Sequence, residues 1–329
     1  MSWLVTGGAG YIGAHVVREL QHANDNIVVV DDLSAGHRTR LDRSVPFVAG
    51  SVHDTSQLVR VMAAHNVEGV VHLAGHKGVA ESTRHPLDYY RHNVHGLHSV
   101  LTAMLRGGVR RILFSSSAAV YGPVTPSPVT ESAVTQPASP YGSTKLAAEH
   151  LLRDAAAAHG VDWAVLRYFN VGGAAAPALA DTGADNLIPR LLDAAETGDA
   201  VAVNGIDHPT RDGTCVRDYV HVADVAHAHR YVLDQLRNGP LATIYNVGSG
   251  IGASVLEVID AVRRATGRPV PWRATEPRVG DAAEVVANPA KIRTELGWSA
   301  VHDLDDITRS AWAARATGRA RTPHGGRVT

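Results

Sequence analysis

The segment Gly7-Gly8-Ala9-Gly10-Tyr11-Ile12-Gly13 constrains this chain more than any other. It lies between an apolar run at residues 3–6 and a stretch of helical periodicity at 11–23. It matches G-x-G-x-x-G from Gly8 and G-x-x-G-x-x-G from Gly7. Glycines at such positions permit a tight turn and let a pyrophosphate approach the backbone, while free amides at the helix N-terminus stabilise its charge. The next apolar run, Ile27-Val28-Val29-Val30-Asp31, ends on a carboxylate. A carboxylate there suits the two hydroxyls of an adenosine ribose and repels a 2′-phosphate. NAD is therefore the expected cofactor, with Arg38 and Arg40 following close behind.

Strand-like runs at 3–6, 27–31, 69–73, 111–115 and 163–167 alternate with helical stretches at 11–23, 56–65, 86–105 and 141–159. Most of the strands are apolar on both faces, as buried parallel strands are. The alternation predicts an α/β fold, a Rossmann-type doubly wound parallel sheet. One long connection, 121–140, is rich in Pro, Thr and Ser and is a candidate active-site wall. After about residue 170 the texture changes to a Gly/Ala/Pro-rich loop (172–185), a helix near 186–196 and a strand at 200–203. A loop at 208–214, a helix at 222–236, a strand at 244–247 and a helix at 255–265 follow. A length of 329 residues predicts two domains at roughly 150 residues each. These are an NAD-binding domain over 1–170 and a smaller α/β C-terminal substrate domain over 171–329, interleaved, with a loose tail from about 317.

Composition excludes several functions. Lys+Arg is 31 against 32 Asp+Glu, a net charge of -1, so neither nucleic acid nor an anionic membrane is an expected partner. A single cysteine, Cys215, leaves no disulfide framework and no Cys-rich metal site. The chain opens without a charged leader and every apolar run stops well short of ~18 residues, so a cytoplasmic protein is expected. Among nineteen histidines, His92, His95 and His98 share helical spacing, and His227 and His229 lie close together. No acidic residue completes either group, so no metal is expected.

Tyr141-Gly142-Ser143-Thr144-Lys145 places a phenol and an ammonium on one side of a helix. An ammonium so placed depresses a phenol's pKa, letting the phenolate serve as a base near neutral pH. The chain has nine tyrosines and three lysines, so about 0.08 such matches are expected by chance, and the pattern is informative. Ser115-Ser116-Ser117 ends an apolar strand, at the edge where ligands bind in such sheets. Ser117 is placed to exchange a hydrogen bond with a substrate hydroxyl.

These segments resemble the extended short-chain dehydrogenase/reductase superfamily and, within it, the UDP-glucose 4-epimerases (UDP-galactose 4-epimerases). The resemblance covers nearly the whole chain. It is carried by residues 6–13, His72-Leu73-Ala74-Gly75-His76-Lys77, residues 86–93, 115–122, 139–145, 167–170 and 209–221, Tyr245–Gly248 with Ser254-Val255-Leu256, and Arg278-Val279-Gly280-Asp281. It implies reversible epimerisation at C4 of UDP-glucose and UDP-galactose through a transient 4-keto sugar. Tyr141 would take the proton from the 4-hydroxyl as C4 gives its hydride to NAD, Lys145 would hold the nicotinamide ribose and acidify Tyr141, and Ser117 would bond the same oxygen. The cofactor positions implied are Gly7, Gly10, Tyr11, Ile12, Gly13, Asp31, Ser51, Val52, Leu73, Ala74, Gly75, Lys77, Asn93, Ser115 and Tyr168, with Tyr141 and Lys145. Those for the sugar nucleotide are Asn170, Asn186, Leu187, Ala202, Arg217, Arg278, Asp281 and Val285, with Ser117 and Tyr141. Arginine suits a diphosphate bidentately, and Asp281 suits a ribose diol. The resemblance also implies a homodimer packed through helices near 90–105 and 143–158.

The chain departs from the family pattern in places. Gly50-Ser51-Val52 stands where Gly-Asp-Ile/Val is usual, Asn204 where an aromatic near uracil is common, and Val171-Gly172 in place of a more typical pair. Val285 is small where some members carry Tyr, which points to acceptance of N-acetylated sugars, so UDP-N-acetylglucosamine epimerisation or dual specificity is the alternative. A dehydratase of the same fold needs an extra acid and base, and Ser117 is followed by Ala118-Ala119-Val120-Tyr121. A non-catalytic NAD sensor would not need both Tyr141 and Lys145.

Overall fold

The structure, a computed structural model, describes residues 2–123, 127–183, 186–278 and 280–319. Val279 and the last ten residues of the expected loose tail lie outside the described residues, as do 124–126 and 184–185 within the two expected loops. Six strands of the first half form most of one sheet: β1 (Ser2–Thr6), β2 (Asn26–Asp31), β3 (Phe47–Ala49), β4 (Val67–His72), β5 (Arg111–Ser117) and β6 (Asp162–Tyr168). The seventh, β10 (Ala242–Val247), arrives from the second half. The order is β10-β6-β5-β4-β1-β2-β3 and every pairing is parallel. Trp3, Leu4 and Val5 of β1 and Val28, Val29 and Val30 of β2 are completely buried, because helices cover both faces.

On one face lie α1 (Tyr11–His22) and α8 (Val222–Asn238), packing Val16, Val17, Leu20, Val225, Val232 and Leu233 onto the sheet. On the other lie α2 (Thr55–Ala64), α5 (Gly96–Arg106) and α6 (Pro140–His159), with Leu58, Leu97, Val100, Met104 and Leu152. Each such side chain contributes about 1.5–3 kcal/mol on burial. α3 (Val79–Arg84) precedes the stretch expected as one helix over 86–105, which is three pieces: α4 (Pro86–Tyr89), a π turn (Tyr90–His95) and α5. The wider π turn holds the Asn93 side chain inward, and such turns recur at functional sites.

The second half builds smaller sheets from β7 (Asn170–Gly172), β8 (Val201–Asn204), β9 (Val216–His221), β11 (Gly252–Ser254), β12 (Trp272–Thr275) and β13 (Glu284–Val285). Helices α7 (Leu187–Thr197), α9 (Val255–Thr266), α10 (Ala290–Leu296) and α11 (Leu304–Arg319) accompany them. β9 is central, pairing with β7, β11 and β13. The sequence gives no sign of β9, because Arg217 and Asp218 interrupt its apolar pattern. Asp218 is buried by accepting from the Ser249 amide and hydroxyl, both at 2.7 Å, and from the amides of Gly250 (2.9 Å) and Ala287 (3.1 Å), partners remote in sequence. The expected loop over 172–185 starts on β7 and carries a short 3-10 turn, Pro177–Leu179, and α11 runs two residues beyond 317.

Candidate active site

The sheet changes direction between β1 and β4, and ligands bind at the C-terminal ends of strands beside such a switch point. There the turn after β1 meets the turn after β4. Gly7 has φ +71°, and a Cβ on it would stand 2.6 Å from the Ala74 amide nitrogen; one on Gly13 would stand 2.1 Å from the Gly7 carbonyl oxygen. Only glycine allows this approach, which leaves a cradle at the start of α1. At the end of β2, Asp31 accepts from the Ala9 amide at 2.9 Å and the Leu33 amide at 2.8 Å. Burial raises its pKa, and those two bonds oppose the rise.

A cleft follows, lined by Gly7, Gly10, Asp31, Ser51, Val52, Leu73, Ala74 and Gly75. All eight are expected cofactor positions, so the cradle, the paired carboxylate and the cleft fit a dinucleotide. Sequence reasoning missed Asp32, Ser34, Gly36, His76 and His92 on the same walls. Their one signal was adjacency to residues already singled out. Tyr11 and Ile12 turn their side chains elsewhere. The Tyr11 hydroxyl donates to the Gly173 carbonyl at 2.6 Å and Ile12 packs into the core, leaving their backbone at the helix start. The Lys77 ammonium lies 5.7 Å from the centre of the Tyr11 ring. Asn93 accepts from the His76 amide at 2.8 Å and donates to the Thr144 hydroxyl at 2.9 Å, fastening the cleft wall to α6.

α6 begins where its sequence dictates. The Ser139 hydroxyl caps it by accepting from the Gly142 amide, Pro140 occupies its first turn and Gly160, at φ 64°, ends it. A Cβ on Gly142 would lie 2.4 Å from the Ala119 carbonyl oxygen. This glycine therefore lets the turn after Ser117 touch the start of α6. Tyr141 is buried, which raises its pKa, and a Ser117–Tyr141 hydrogen bond opposes the rise. Lys145 donates to the Ser115 carbonyl at 2.9 Å, and burial lowers its pKa to about 8 while Glu149 raises it. Tyr168, expected at the cofactor, donates its hydroxyl at 2.7 Å to Nε2 of His229, whose Nδ1 faces the Val225 carbonyl at 2.8 Å.

On the sugar-nucleotide side, β9 gathers residues far apart in sequence. Arg217 is in register with Val285 of β13 and Ala253 of β11, and Tyr219 with Asn170 of β7. Arg217 donates to the Val216 and Ala282 carbonyls at 2.9 and 2.8 Å and faces Asp281 at 3.6 Å. Arg278 is exposed and accepts, through its carbonyl, from the Asp281 amide at 3.1 Å. Asn186 donates to Asp181 at 2.7 Å rather than capping α7. Leu187 packs at the rim of the core that holds Tyr219, and Ala202 of β8 pairs with Arg273. Asn204 accepts from the Thr275 hydroxyl at 3.3 Å.

The histidines expected on one helix face are joined by His53, whose ring nitrogens lie 3.2 Å from His95 and 3.4 Å from His92. Among the described residues, no group of three or more His, Cys, Asp or Glu is placed to hold a metal ion. Cys215 is buried and free. No helix among the described residues is long and apolar enough to cross a membrane.

A parallel sheet in this order, with a glycine cradle at its switch point and a Tyr-x-x-x-Lys helix beside it, defines a Rossmann-type dinucleotide-binding enzyme. The model of the NAD dependent epimerase/dehydratase family matches residues 3–248, and the chain belongs to that family. It is 44% identical to a UDP-glucose 4-epimerase of Azospirillum brasilense, over 98% of this chain and 95% of the relative. A crystal structure of UDP-glucose-4-epimerase from Stenotrophomonas maltophila, with bound NAD and formylated UDP-arabinopyranose, superposes with a TM-score of 0.93 at 42% identity, covering 97% of this chain and 99% of that one. The Brucella ovis enzyme in complex with NAD gives 0.92 at 39% identity, covering 95% and 98%.

Proposed function

We propose that this chain interconverts UDP-glucose and UDP-galactose by inverting C4 of the hexose, with NAD held in the glycine-lined cleft. NAD, when bound, supplies a hydride acceptor and donor for C4. Tyr141 takes the proton of the 4-hydroxyl and later returns it, Ser117 bonds the same oxygen, and Lys145 holds the cofactor ribose. Between the two transfers the sugar is a 4-keto species that presents its other face. The hexose is therefore held loosely and the nucleotide firmly, by Arg217 and Arg278 at the diphosphate and Asp281 at the ribose. Asn170, Asn186, Leu187 and Ala202 complete that grip. The observation that carries this reading is the Ser117–Tyr141 hydrogen bond with Lys145 on the Ser115 carbonyl and beside Gly75 of the cofactor cleft, in a chain 44% identical to a UDP-glucose 4-epimerase. The test incubates the purified protein with each UDP-hexose and resolves the epimeric products by chromatography and mass spectrometry. Conversion of neither UDP-glucose nor UDP-galactose would sink the reading.

A second reading has its own support. Val285, in register with Arg217, is a small side chain where some relatives carry Tyr, and this supports UDP-N-acetylglucosamine as a further substrate. Activity confined to the non-acetylated pair would refute this. The domains divide near residue 170, with α8 and β10 returning to the first. The protein acts in the cytoplasm as a homodimer through 90–105 and 143–158, where Leu105 and Leu151 are only partly buried. Light scattering on the eluting protein reads the mass; a monomer would contradict the dimer.

A further inference from the structure

Glu149 lies one helical turn beyond Lys145, on the same side of α6, and is wholly buried. Three bonds clasp its carboxylate. The Ser116 hydroxyl of β5 donates at 2.5 Å, and Arg167 of β6 donates through Nε at 3.0 Å and through a terminal nitrogen at 2.6 Å. The other terminal nitrogen of Arg167 donates to the Tyr121 hydroxyl at 2.9 Å, and Tyr121 donates in turn to Asn246 at 2.7 Å. The ion pair is buried on both sides, with Arg167 at 3% exposure and Glu149 at 0%. A buried pair is a weak device for stability, since apolar side chains of similar volume often replace one without loss. Its position suggests another use. The two strands that grip Glu149 carry Ser115 and Ser117 on one side and Tyr168 on the other, and the gripped helix carries Tyr141 and Lys145.

We propose that Glu149 is a positioning residue: clasped between Ser116 and Arg167, it sets the height and rotation of α6 against β5 and holds a negative charge one helical turn from the Lys145 ammonium. Lys145 is buried, with the Ser115 carbonyl as its hydrogen-bond acceptor and the Phe114 ring 5.2 Å away. Of the titratable groups around it, His72 of β4 is neutral, its pKa near 3 through burial and the Lys145 charge. Tyr141 on its own helix is a phenol whose pKa burial raises and the Ser117 bond lowers. Glu149 is the carboxylate that raises the pKa of Lys145 against burial.

The role of Glu149 in turnover rests on the reaction proposed above, so the decisive readout is independent of it. The chain has three lysines, Lys77, Lys145 and Lys291, so the ε-methylene signals of carbon-13 lysine-labelled holoprotein can be assigned by substitution and titrated by NMR. In the unaltered protein Lys145 should titrate near 8. Glu149→Gln keeps the acceptor for Ser116 and removes the charge, and the Lys145 midpoint should fall by a unit or more. The alkaline limb of the pH–turnover profile should move toward acid with it, and turnover at pH 8 should drop about tenfold with KM little changed. Because Glu149→Gln leaves Arg167 unpaired, the double variant Glu149→Met with Arg167→Met controls for folding. It should melt close to the unaltered protein and show a smaller fall of the Lys145 midpoint than Glu149→Gln, because the Arg167 cation leaves with the carboxylate. An unmoved Lys145 midpoint in Glu149→Gln would overturn the proposal. A lowered midpoint in a protein that converts no UDP-hexose would uphold it and sink the reaction instead.

Discussion

At the cofactor cleft, the contacts that set the shape are made by backbone. Gly7 lies against Ala74, Gly13 against the Gly7 carbonyl, and Asp31 on the amides of Ala9 and Leu33. At the sugar-nucleotide rim they are made by side chains. Arg217 and Asp281 face each other at 3.6 Å with 19% and 31% of their side chains exposed, and Arg278 is exposed. Backbone in a parallel sheet cannot shift without breaking ladder bonds, so the first region is preformed. Long side chains at a rim can rearrange, and an exposed ion pair contributes at most about 1 kcal/mol. The difference suits an enzyme that keeps its cofactor through every cycle and exchanges its substrate in each.

That contrast can be broken by substitution. Tyr141→Phe removes the proton acceptor and leaves both binding regions intact; turnover should fall roughly 10²–10⁴-fold with NAD content unchanged. Retained turnover would show that another group takes the proton. Gly142→Ala drives a methyl toward the Ala119 carbonyl, 2.4 Å away. The overpacking should cost about 1–3 kcal/mol in thermal or urea denaturation and separate Ser117 from Tyr141, with turnover down by about 10²-fold. An unshifted denaturation curve would mean that the turn is mobile. Asp31→Asn, on the preformed side, should weaken NAD retention about tenfold, measured by cofactor content after dialysis. Arg217→Lys, on the adaptable side, should raise KM for the UDP-sugar several-fold through loss of bidentate geometry and leave NAD content alone. If Arg217→Lys also sheds NAD, the two regions are coupled and the contrast fails.

Much of the first region was legible in sequence. The glycine turn, Asp31 and the Tyr141–Lys145 pair are local patterns, with each residue's role set by neighbours a few positions away. The break of 86–105 by a π turn was not legible. It depends on Asn93 reaching His76 and Thr144, which are not its neighbours in sequence. The Glu149–Arg167 pair escaped for a similar reason. Glu149 on a helix and Arg167 at a strand end carry no local sign of each other; packing of α6 on β5 and β6 brings them together with Ser116. The bond of the Tyr168 hydroxyl to His229 of α8 likewise joins residues far apart in sequence.

The sequence by itself determined the parallel sheet, the glycine turn after β1 and the Tyr-x-x-x-Lys spacing on α6. Periodicity, glycine spacing and capping act within one strand–turn–helix unit, where chain connectivity supplies the geometry. Tertiary structure alone decided that β9 would bring Arg217 beside Val285 and Tyr219 beside Asn170, and that the turn after Ser117 would touch the start of α6 at Gly142. Those outcomes depend on register between distant strands and on which buried polar groups find partners, and both are settled only when the whole core closes.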